Sequence, residues 1–330
     1  MLPLLEVRDL SVHFTTPLGA VHAVDEVTLS LDRDLTGLVG ESGSGKSTLG
    51  YAIMRLLPKN AHVTGKILFD GIDILSLHPS QMRKIRGRRI AMVFQGSMNS
   101  LDPLMRVEDQ VAEPIMIHEN EGRALATRKA REILGQLGLS AEKARTYPHE
   151  LSGGLKQRVS IAIALSLKPD LLIADEPATA LDVMTQAQIM ETIREIKETY
   201  GMSVVLISHD IALVSEVSDG IAVMYAGKIA ETGPVMEIVG SPAHPYTVGL
   251  MASVPSVEEV GAEGTSIAGD PPDAINPIGG CRFRPRCPYA QAGCETFDNG
   301  LRQVASQHEA ACILVGGEKP WMKQLSTRKA

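Results

Sequence analysis

The chain lacks any apolar run approaching the ~20 residues that a membrane-spanning helix requires. Its first residues also lack the charged and then apolar design of a signal peptide. The chain also lacks a net positive charge. It has 32 Lys and Arg residues and 39 Asp and Glu residues, which gives a formal net charge of −7. A general nucleic-acid binder needs an electropositive face, so this balance argues against that class. We expect a protein that stays in the cytoplasm.

Cysteine is absent from the first 280 residues, and all four cysteines fall in the last fifth of the chain, at Cys281, Cys287, Cys294 and Cys312. A disulfide framework is not expected in a long chain without signs of secretion. The spacing C-x₅-C-x₆-C-x₁₇-C lacks the paired C-x₂-C of common zinc sites and the tight run of bacterial ferredoxins. From spacing alone, reduced and unliganded cysteines are the leading explanation, and a metal centre is the competing one.

Strand-like and helical stretches alternate along most of the chain. The strand-like runs are 36–39, 90–94, 171–174, 204–208 and 221–225, and the helical stretches are 46–57, 124–137, 152–167 and 185–200. This alternation predicts an α/β protein with a mostly parallel, helix-covered sheet, and residues 5–31 predict antiparallel strands. Proline becomes frequent after about Gly240. We therefore predict two domains, residues 1–240 and an irregular extension at 241–330.

A phosphate-binding loop is predicted between the first of these strands and the helix after it. The sequence Gly-Glu-Ser-Gly-Ser-Gly-Lys-Ser fits G-x-x-x-x-G-K-[ST], in which backbone N–H groups converge on phosphate oxygens. The lysine would reach the β and γ phosphates, and the serine after it would ligate Mg²⁺. The predicted nucleotide ligands are Gly40, Ser42, Gly43, Ser44, Gly45, Lys46, Ser47 and Thr48. A glycine-rich turn without a ligand is the alternative, which the complete motif makes improbable.

Polar groups follow three other strand-like runs. Asp175 and Glu176 end the apolar run at 171–174, where Asp175 would hold Mg²⁺ and Glu176 would orient or deprotonate the attacking water. Gln95 would contact Mg²⁺ or that water, and His209 would donate a hydrogen bond to the γ phosphate. Taken singly, each is more often a structural or surface residue. Their matching positions favour one catalytic edge.

A second anion-binding helix terminus is predicted at Ser152-Gly153-Gly154, where the serine would cap the helix and the glycines would bare its N–H groups. A single chain cannot easily fold both termini onto one phosphate. Two subunits arranged head to tail would instead sandwich each nucleotide between a phosphate loop and the opposing turn. An ordinary glycine-containing helix cap is the alternative for these three residues alone.

In this order, the motifs resemble those of ATP-binding cassette (ABC) subunits: Walker A, the Q-loop Gln95, the signature at 151–157, Walker B, the D-loop at 180–182 and the switch His209. The resemblance covers about residues 5–240. It implies a P-loop NTPase fold with a RecA-like mixed sheet, an antiparallel β subdomain and a helical subdomain at about 96–168. It also implies that Ser152, Gly154 and Asp182 meet ATP held by a partner subunit. Phe14 is the candidate for stacking on adenine.

Within that family the chain looks like the subunits that power oligopeptide, dipeptide and nickel import. The resemblance rests on the phosphate loop and on Ser100-Leu101-Asp102-Pro103, Ala187-Gln188-Ile189 and His244-Pro245-Tyr246-Thr247. The tail is similar to the four-cysteine pattern of this subfamily, which in several members holds a [4Fe–4S] cluster. With the resemblance added, a structural [4Fe–4S] cluster on the four cysteines is the prediction, and Zn²⁺ comes next.

The resemblance implies an ATP- and Mg²⁺-dependent energy-coupling ATPase, peripheral on the cytoplasmic face of the membrane. Its partners would be permease subunits, a second and homologous cassette subunit and, indirectly, an external solute-binding protein, with no nucleic acid. A soluble cassette ATPase acting on a nucleic-acid machine is the main alternative. A phosphate-loop kinase would have no evident use for Ser152, Gly154 or His209. Electron transfer through the tail would need a donor site that we do not find.

Overall fold

Twelve strands and ten α-helices are present in the computed structural model, which describes residues 3–32, 34–253, 267–317 and 319–321. The strands are β1 (Leu5–Thr16), β2 (Gly19–Leu31), β3 (Leu35–Val39), β4 (Ala61–Phe69), β5 (Ile72–Asp73), β6 (Ile90–Val93), β7 (Leu171–Asp175), β8 (Ser203–Ser208), β9 (Gly220–Tyr225), β10 (Lys228–Pro234), β11 (Arg302–Ala305) and β12 (His308–Ala310). The helices are α1 (Lys46–Met54), α2 (Pro79–Ile85), α3 (Val107–Glu119), α4 (Arg123–Gln136), α5 (Ala141–Ala144), α6 (Gly153–Leu165), α7 (Val183–Tyr200), α8 (Ile211–Ser215), α9 (Val235–Gly240) and α10 (Pro245–Ala252).

The chain forms two compact units. The first comprises Met1–Asp32, Thr36–Leu75 and Ser208–Ala330, and the second comprises Arg33–Leu35 and Ser76–Ile207. The predicted division into residues 1–240 and 241–330 stays a prediction, and residues 254–266 and 322–330 of that extension lie outside the described part.

In the first unit, β1 is a central strand of an antiparallel sheet with the order β2-β1-β4-β5 and pairs with β2 and β4. Apolar residues of β1, among them Leu5, Val7, Leu10 and Val12, are buried in the core, as expected for a strand that packs one face inward. A second group of strands pairs β3 parallel to β9, and β9 antiparallel to β10. This unit therefore contains the antiparallel strands that the sequence predicts.

In the second unit, β7 pairs in parallel with both β6 and β8. Every residue of β7 and β8 is buried, which is typical of parallel strands covered on both faces. The helical stretch of this unit contains α3, α4 and α6, which pack on one another. The predicted fold class is confirmed: the protein has an α/β fold with a mixed core, antiparallel strands and a helical subdomain.

Two local features differ from the sequence prediction. The first helix, α1, ends at Met54 and not at residue 57 as predicted, because Arg55 adopts a left-handed conformation with φ of 50°. The extension is irregular over much of its described length, yet it also adds two short strands, because β12 pairs with β10 and β11 pairs with β12. Among the described residues, none of the helices combines the length and the apolar character that a bilayer crossing requires.

Candidate nucleotide-binding site

The predicted phosphate loop joins β3 to α1, as the sequence indicates. Gly45 precedes α1 with φ of 102°, and a Cβ at this position would lie 2.1 Å from the carbonyl oxygen of Ala23. A side chain is therefore excluded by both conformation and space. Ser47 and Thr48 follow in the first turn of α1, where helix N–H groups favour an anion.

The Lys46 ammonium lies against the loop backbone. It donates to the carbonyl oxygens of Gly40 and Glu41, with N–O distances of 2.8 and 2.9 Å, and to Ser44 Oγ at 3.2 Å. Only 6% of Lys46 is exposed. These bonds fix a positive charge beside the converging N–H groups, which suits a polyphosphate and supports the fit of ATP to the loop.

The acidic pair ends β7 as predicted. Asp175 is the last residue of the strand and is fully buried. Glu176 follows in a left-handed conformation, and its N–H donates to the carbonyl oxygen of Ile207 at 2.9 Å. The Thr179 hydroxyl donates to Glu176 Oε2 at 2.7 Å. The backbone and the carboxylate of Glu176 are thus both held in place. Carboxylates at such a strand end fit an oxygen-liganded Mg²⁺.

The predicted Gln95 lies two residues after β6, and His209 lies directly after β8; both are exposed. β6 and β7 are parallel neighbours, so Gln95 follows the same sheet edge at which Asp175 ends its strand. Phe14 is half-buried on β1, opposite Val21 of β2. The roles of Gln95, His209 and Phe14 stay predictions.

The sequence does not predict all of the residues that surround the phosphate loop. A cleft in the first unit is lined by the loop residues Ser42–Ser44, by His22 of β2 and by Pro271 and Pro272 of the extension. The His22 N–H donates to the carbonyl oxygen of Ala274 at 2.8 Å, which holds this part of the extension on β2. The change in proline content marks the extension in the sequence, but no local pattern indicates that it returns to the loop.

The signature turn opens α6 in the second unit. Ser152 is the N-cap residue, but its side chain makes no capping hydrogen bond, so the prediction of a serine side-chain cap is wrong. Ser152 is instead exposed at the N-terminus of the helix. A Cβ on Gly154 would lie 2.6 Å from Thr185 Cγ2, so glycine permits the close approach of α7. The exposed helix terminus suits an anion from outside the chain.

Asp182 caps α7 beside this turn. Its carboxylate accepts hydrogen bonds from the Thr185 hydroxyl and the Thr185 N–H, at 2.6 and 3.0 Å. The hydrogen bond from the Thr185 hydroxyl lowers the pKa of Asp182 most, and the one from the Thr185 N–H lowers it further below its usual value. The predicted D-loop aspartate therefore lies at the start of α7 as an ionised cap.

The prediction of a metal cluster in the tail is wrong. Within the described ranges, which contain Cys281, Cys287, Cys294 and Cys312, no group of three or more His, Cys, Asp or Glu side chains is arranged to hold a metal ion. All four cysteines are free thiols. Burial raises the pKa of Cys287 and of Cys312 to about 11. The arrangement of the described side chains therefore does not support a [4Fe–4S] cluster or Zn²⁺ on these cysteines.

Comparisons with known proteins agree with the motifs. Residues 24–179 match the family described as "ABC transporter", and residues 230–294 match the one described as "Oligopeptide/dipeptide transporter, C-terminal region". Among curated proteins, the oligopeptide transport ATP-binding protein OppD of Bacillus subtilis is 46% identical over 333 residues, covering 99% of this chain and 93% of its own length. OppD of Escherichia coli is 43% identical over 89% of this chain and 88% of its own length.

The fold is also similar to solved ABC structures. A dimeric, post-hydrolysis structure of the ATP-binding cassette MJ0796 bound to ADP and Pi matches with a TM-score of 0.63 and 28% identity, covering 70% of this chain and 98% of that one. The cbiO1 subunit from Clostridium perfringens, part of the ABC transporter complex cbiONQ, matches with a TM-score of 0.62 and 26% identity over 73% and 92% of the two chains. The chain thus belongs to the ABC ATPases, in the family of the ATP-binding subunits of oligopeptide and dipeptide importers.

Proposed function

We propose that this ABC ATPase drives the import of oligopeptides or dipeptides through a membrane permease. The observation that carries the proposal is the match at residues 230–294 to the C-terminal region of such transporters, outside the motifs that all ABC ATPases share. Relatives named as oligopeptide or dipeptide transport ATP-binding proteins align along most of the chain, which supports the same conclusion. They give no support to a nucleic-acid machine.

ATP hydrolysis is assigned to residues of the described motifs. Backbone N–H groups of the loop at Gly40–Gly45, with Thr48, bind the phosphates, and Lys46 neutralises charge on the β and γ phosphates. Ser47, Gln95 and Asp175 are the residues that would hold Mg²⁺. When bound, Mg²⁺ neutralises the charge that develops on the phosphate oxygens.

Glu176 and His209 are assigned to the chemical step. The Glu176 carboxylate accepts a proton from the attacking water, or orients that water in line with the γ phosphate. The Thr179 hydroxyl, which donates to Glu176 Oε2, keeps the carboxylate in one orientation. His209 donates a hydrogen bond to the γ phosphate and so makes the site sensitive to its cleavage.

A second, homologous cassette subunit completes the site. Ser152 and Gly154 at the N-terminus of α6, and Asp182 at the start of α7, meet ATP held by that subunit, and Phe14 stacks on the adenine of the chain's own ATP. The exposed Ser152 hydroxyl, which is not used as a helix cap, supports this role. ATP then joins the two subunits, and hydrolysis releases them.

We assign the contact with the permease to the second unit, and the ATPase lies peripherally on the cytoplasmic face of the membrane. A groove of about 440 Å³ in this unit is lined by residues that include Phe94, Ser97, Met105 and Ile163. Phe94, Met105 and Ile163 give the groove an apolar part, which suits the apolar face of a partner helix. We assign the groove to a cytoplasmic helix of the permease. An external binding protein delivers the peptide to that permease.

The test uses proteoliposomes that hold the complete complex, with ATP inside and the binding protein and a labelled peptide outside. We expect oligopeptides or dipeptides to accumulate with ATP and not with ADP. A complex with Lys46→Ala should accumulate none, because the subunit no longer binds the phosphates. Hydrolysis of ATP without accumulation of any peptide, or accumulation of a metal ion instead, would overturn the peptide assignment.

A further inference from the structure

An ion pair joins the extension to the phosphate loop within the first unit. Arg286 lies on a short turn, Arg284–Arg286, beside the cysteine segment. Its two terminal nitrogens donate to the two carboxylate oxygens of Glu41, at 2.7 and 2.9 Å. This bidentate geometry is the strongest arrangement of arginine with a carboxylate. The Arg286 side chain is 4% exposed and that of Glu41 is 29% exposed, so water screens the pair only in part.

Arg286 is itself held from several sides. Its Nε donates to the carbonyl oxygen of Ala268 at 3.0 Å, and one terminal nitrogen donates to that of Ile267 at 3.2 Å. The other terminal nitrogen lies 3.3 Å from the Tyr225 hydroxyl, and the guanidinium lies 5.8 Å from the centre of the Tyr225 ring. Together these contacts fix the guanidinium in an orientation in which its terminal nitrogens point towards Glu41.

A second contact holds the backbone of the same loop residue. The Glu41 N–H donates to the Tyr246 hydroxyl at 2.8 Å. Tyr246 is fully buried in helix α10, and its ring packs on that of Tyr225 with centroids 4.5 Å apart. Both the side chain and the amide of Glu41 are thus bound by residues outside the phosphate-binding motif.

Glu41 connects these contacts to the lysine of the phosphate loop. Its carbonyl oxygen accepts a hydrogen bond from Lys46 Nζ at 2.9 Å. Position 41 is one of the unspecified positions of G-x-x-x-x-G-K-[ST], so phosphate binding by the motif does not explain a glutamate there. A nearly buried arginine that meets this carboxylate in bidentate geometry does explain it.

We propose that Arg286 and Tyr246 are positioning residues of the ATP site: by binding Glu41 they hold the phosphate loop in its ATP-binding conformation. ATP affinity then depends on the extension, although the extension contributes no residue to the phosphate-binding motif. The inference rests on the ATPase activity of the family and is independent of the transported solute.

The test compares Arg286→Gln with Arg284→Gln in the full-length chain. Arg284 lies on the same turn, and its ion partner is Glu295 at 3.9 Å rather than the loop, so it is a matched control. ATP binding by the chain is measured by calorimetry, KM and kcat by phosphate release with the second cassette subunit present, and folding by the melting temperature. We expect Arg286→Gln to weaken ATP binding and raise KM by about tenfold, with kcat at saturating ATP within about twofold of wild type. Arg284→Gln should match wild type.

Two further variants separate positioning from general stability. Glu41→Gln should weaken ATP binding as Arg286→Gln does, and the double variant should be no weaker than either single one, because all three lack the same ion pair. Arg286→Lys should recover part of the affinity. Additive losses in the double variant, unchanged ATP binding in Arg286→Gln, or an equal loss in Arg284→Gln would overturn the proposal. ATP binding by the wild-type chain tests the ATPase function separately.

Discussion

Glu176 combines a strained backbone with a fixed carboxylate. Its φ of 49° places a non-glycine residue in the left-handed region, which costs about 1–3 kcal/mol at such positions. The conformation persists because the N–H of Glu176 bonds to Ile207 and its carboxylate accepts from Thr179. These two contacts hold the carboxylate in one orientation, which supports the assignment of Glu176 to the water.

The first prediction concerns Glu176→Gln. The amide retains the size of the side chain and an oxygen for the Thr179 hydroxyl, but it cannot accept the proton of the water. We expect kcat for ATP to fall by about 10²- to 10⁴-fold, the usual range for loss of a general base, while the Kd for ATP stays within about twofold. Glu195→Gln on the exposed part of α7 is the control. Phosphate release at wild-type rates in Glu176→Gln would contradict the assignment.

Individual residues differ in how far the sequence reveals them. The phosphate loop and the acidic pair are predictable because each role needs a fixed residue type at a fixed spacing along the chain. Arg286 is not predictable, because its partner Glu41 lies 245 residues away and only the folded chain brings them together. The cysteines mislead for a different reason: the family resemblance predicts a cluster, but within the described residues no three His, Cys, Asp or Glu side chains come together in an arrangement that could hold a metal ion.

Helix α10 and strand β10 are joined by a buried network around Glu231. The fully buried Glu231 carboxylate accepts from the N–H groups of Ala243 and His244, at 2.6 and 2.9 Å, and lies 2.7 Å from His308 Nε2. His308 belongs to β12, so one carboxylate connects three elements of the extension and the sheet. Removing it would leave several buried polar groups without partners.

The second prediction concerns the stability of the folded chain at low pH. Burial lowers the pKa of His244 from its usual value near 6.5 to about 4. Below pH 6.5 the unfolded chain binds a proton at this residue and the folded chain does not, so the free energy of unfolding falls as the pH drops from 6.5 towards 4. The loss reaches about 3 kcal/mol at most. The variant His244→Asn keeps an acceptor for the Tyr246 N–H and should show a flatter decline.

Thermal melts of both proteins from about pH 7.5, one pH unit above this range, down to about pH 4.5, near its lower end, provide the measurement. The melting temperature of the wild type should fall more steeply than that of the variant below pH 6.5. Parallel curves would show that His244 does not carry this part of the acid sensitivity.

The elements themselves are partly predictable. The strands β6 to β9 follow from apolar runs bounded by turns, because a parallel strand buried on both faces leaves a continuous apolar signal. The short strands β11 and β12 do not, since β12 exists through pairing with β10, about 80 residues earlier, and not through its own pattern. The end of α1 at Met54 is not predictable either, because nothing in the sequence indicates that Arg55 adopts a left-handed conformation.

The third prediction concerns coupling to the permease. Met105 is half-buried in the groove of the second unit. In Met105→Glu, a charge would have to be desolvated against the permease helix, so we expect peptide uptake by the complex to fall by about tenfold. ATP binding by the isolated subunit and its melting temperature should stay near wild type. Leu18→Glu, at a residue that is 84% exposed in the first unit, is the control.

Equal uptake by the Met105→Glu and Leu18→Glu complexes would remove the groove as the docking surface. A parallel loss of ATP binding in the isolated Met105→Glu subunit would show damage to the fold and would likewise count against the assignment.

The central claim is that ATP joins this chain to a second cassette subunit, with the phosphate loop of one facing the signature turn of the other. Sedimentation velocity of the full-length Glu176→Gln chain with that second subunit tests it most directly. We predict association in ATP and not in ADP, and loss of association when Ser152→Arg is added. A chain that binds ATP with measurable affinity and still sediments alone, with hydrolysis blocked, would contradict the account.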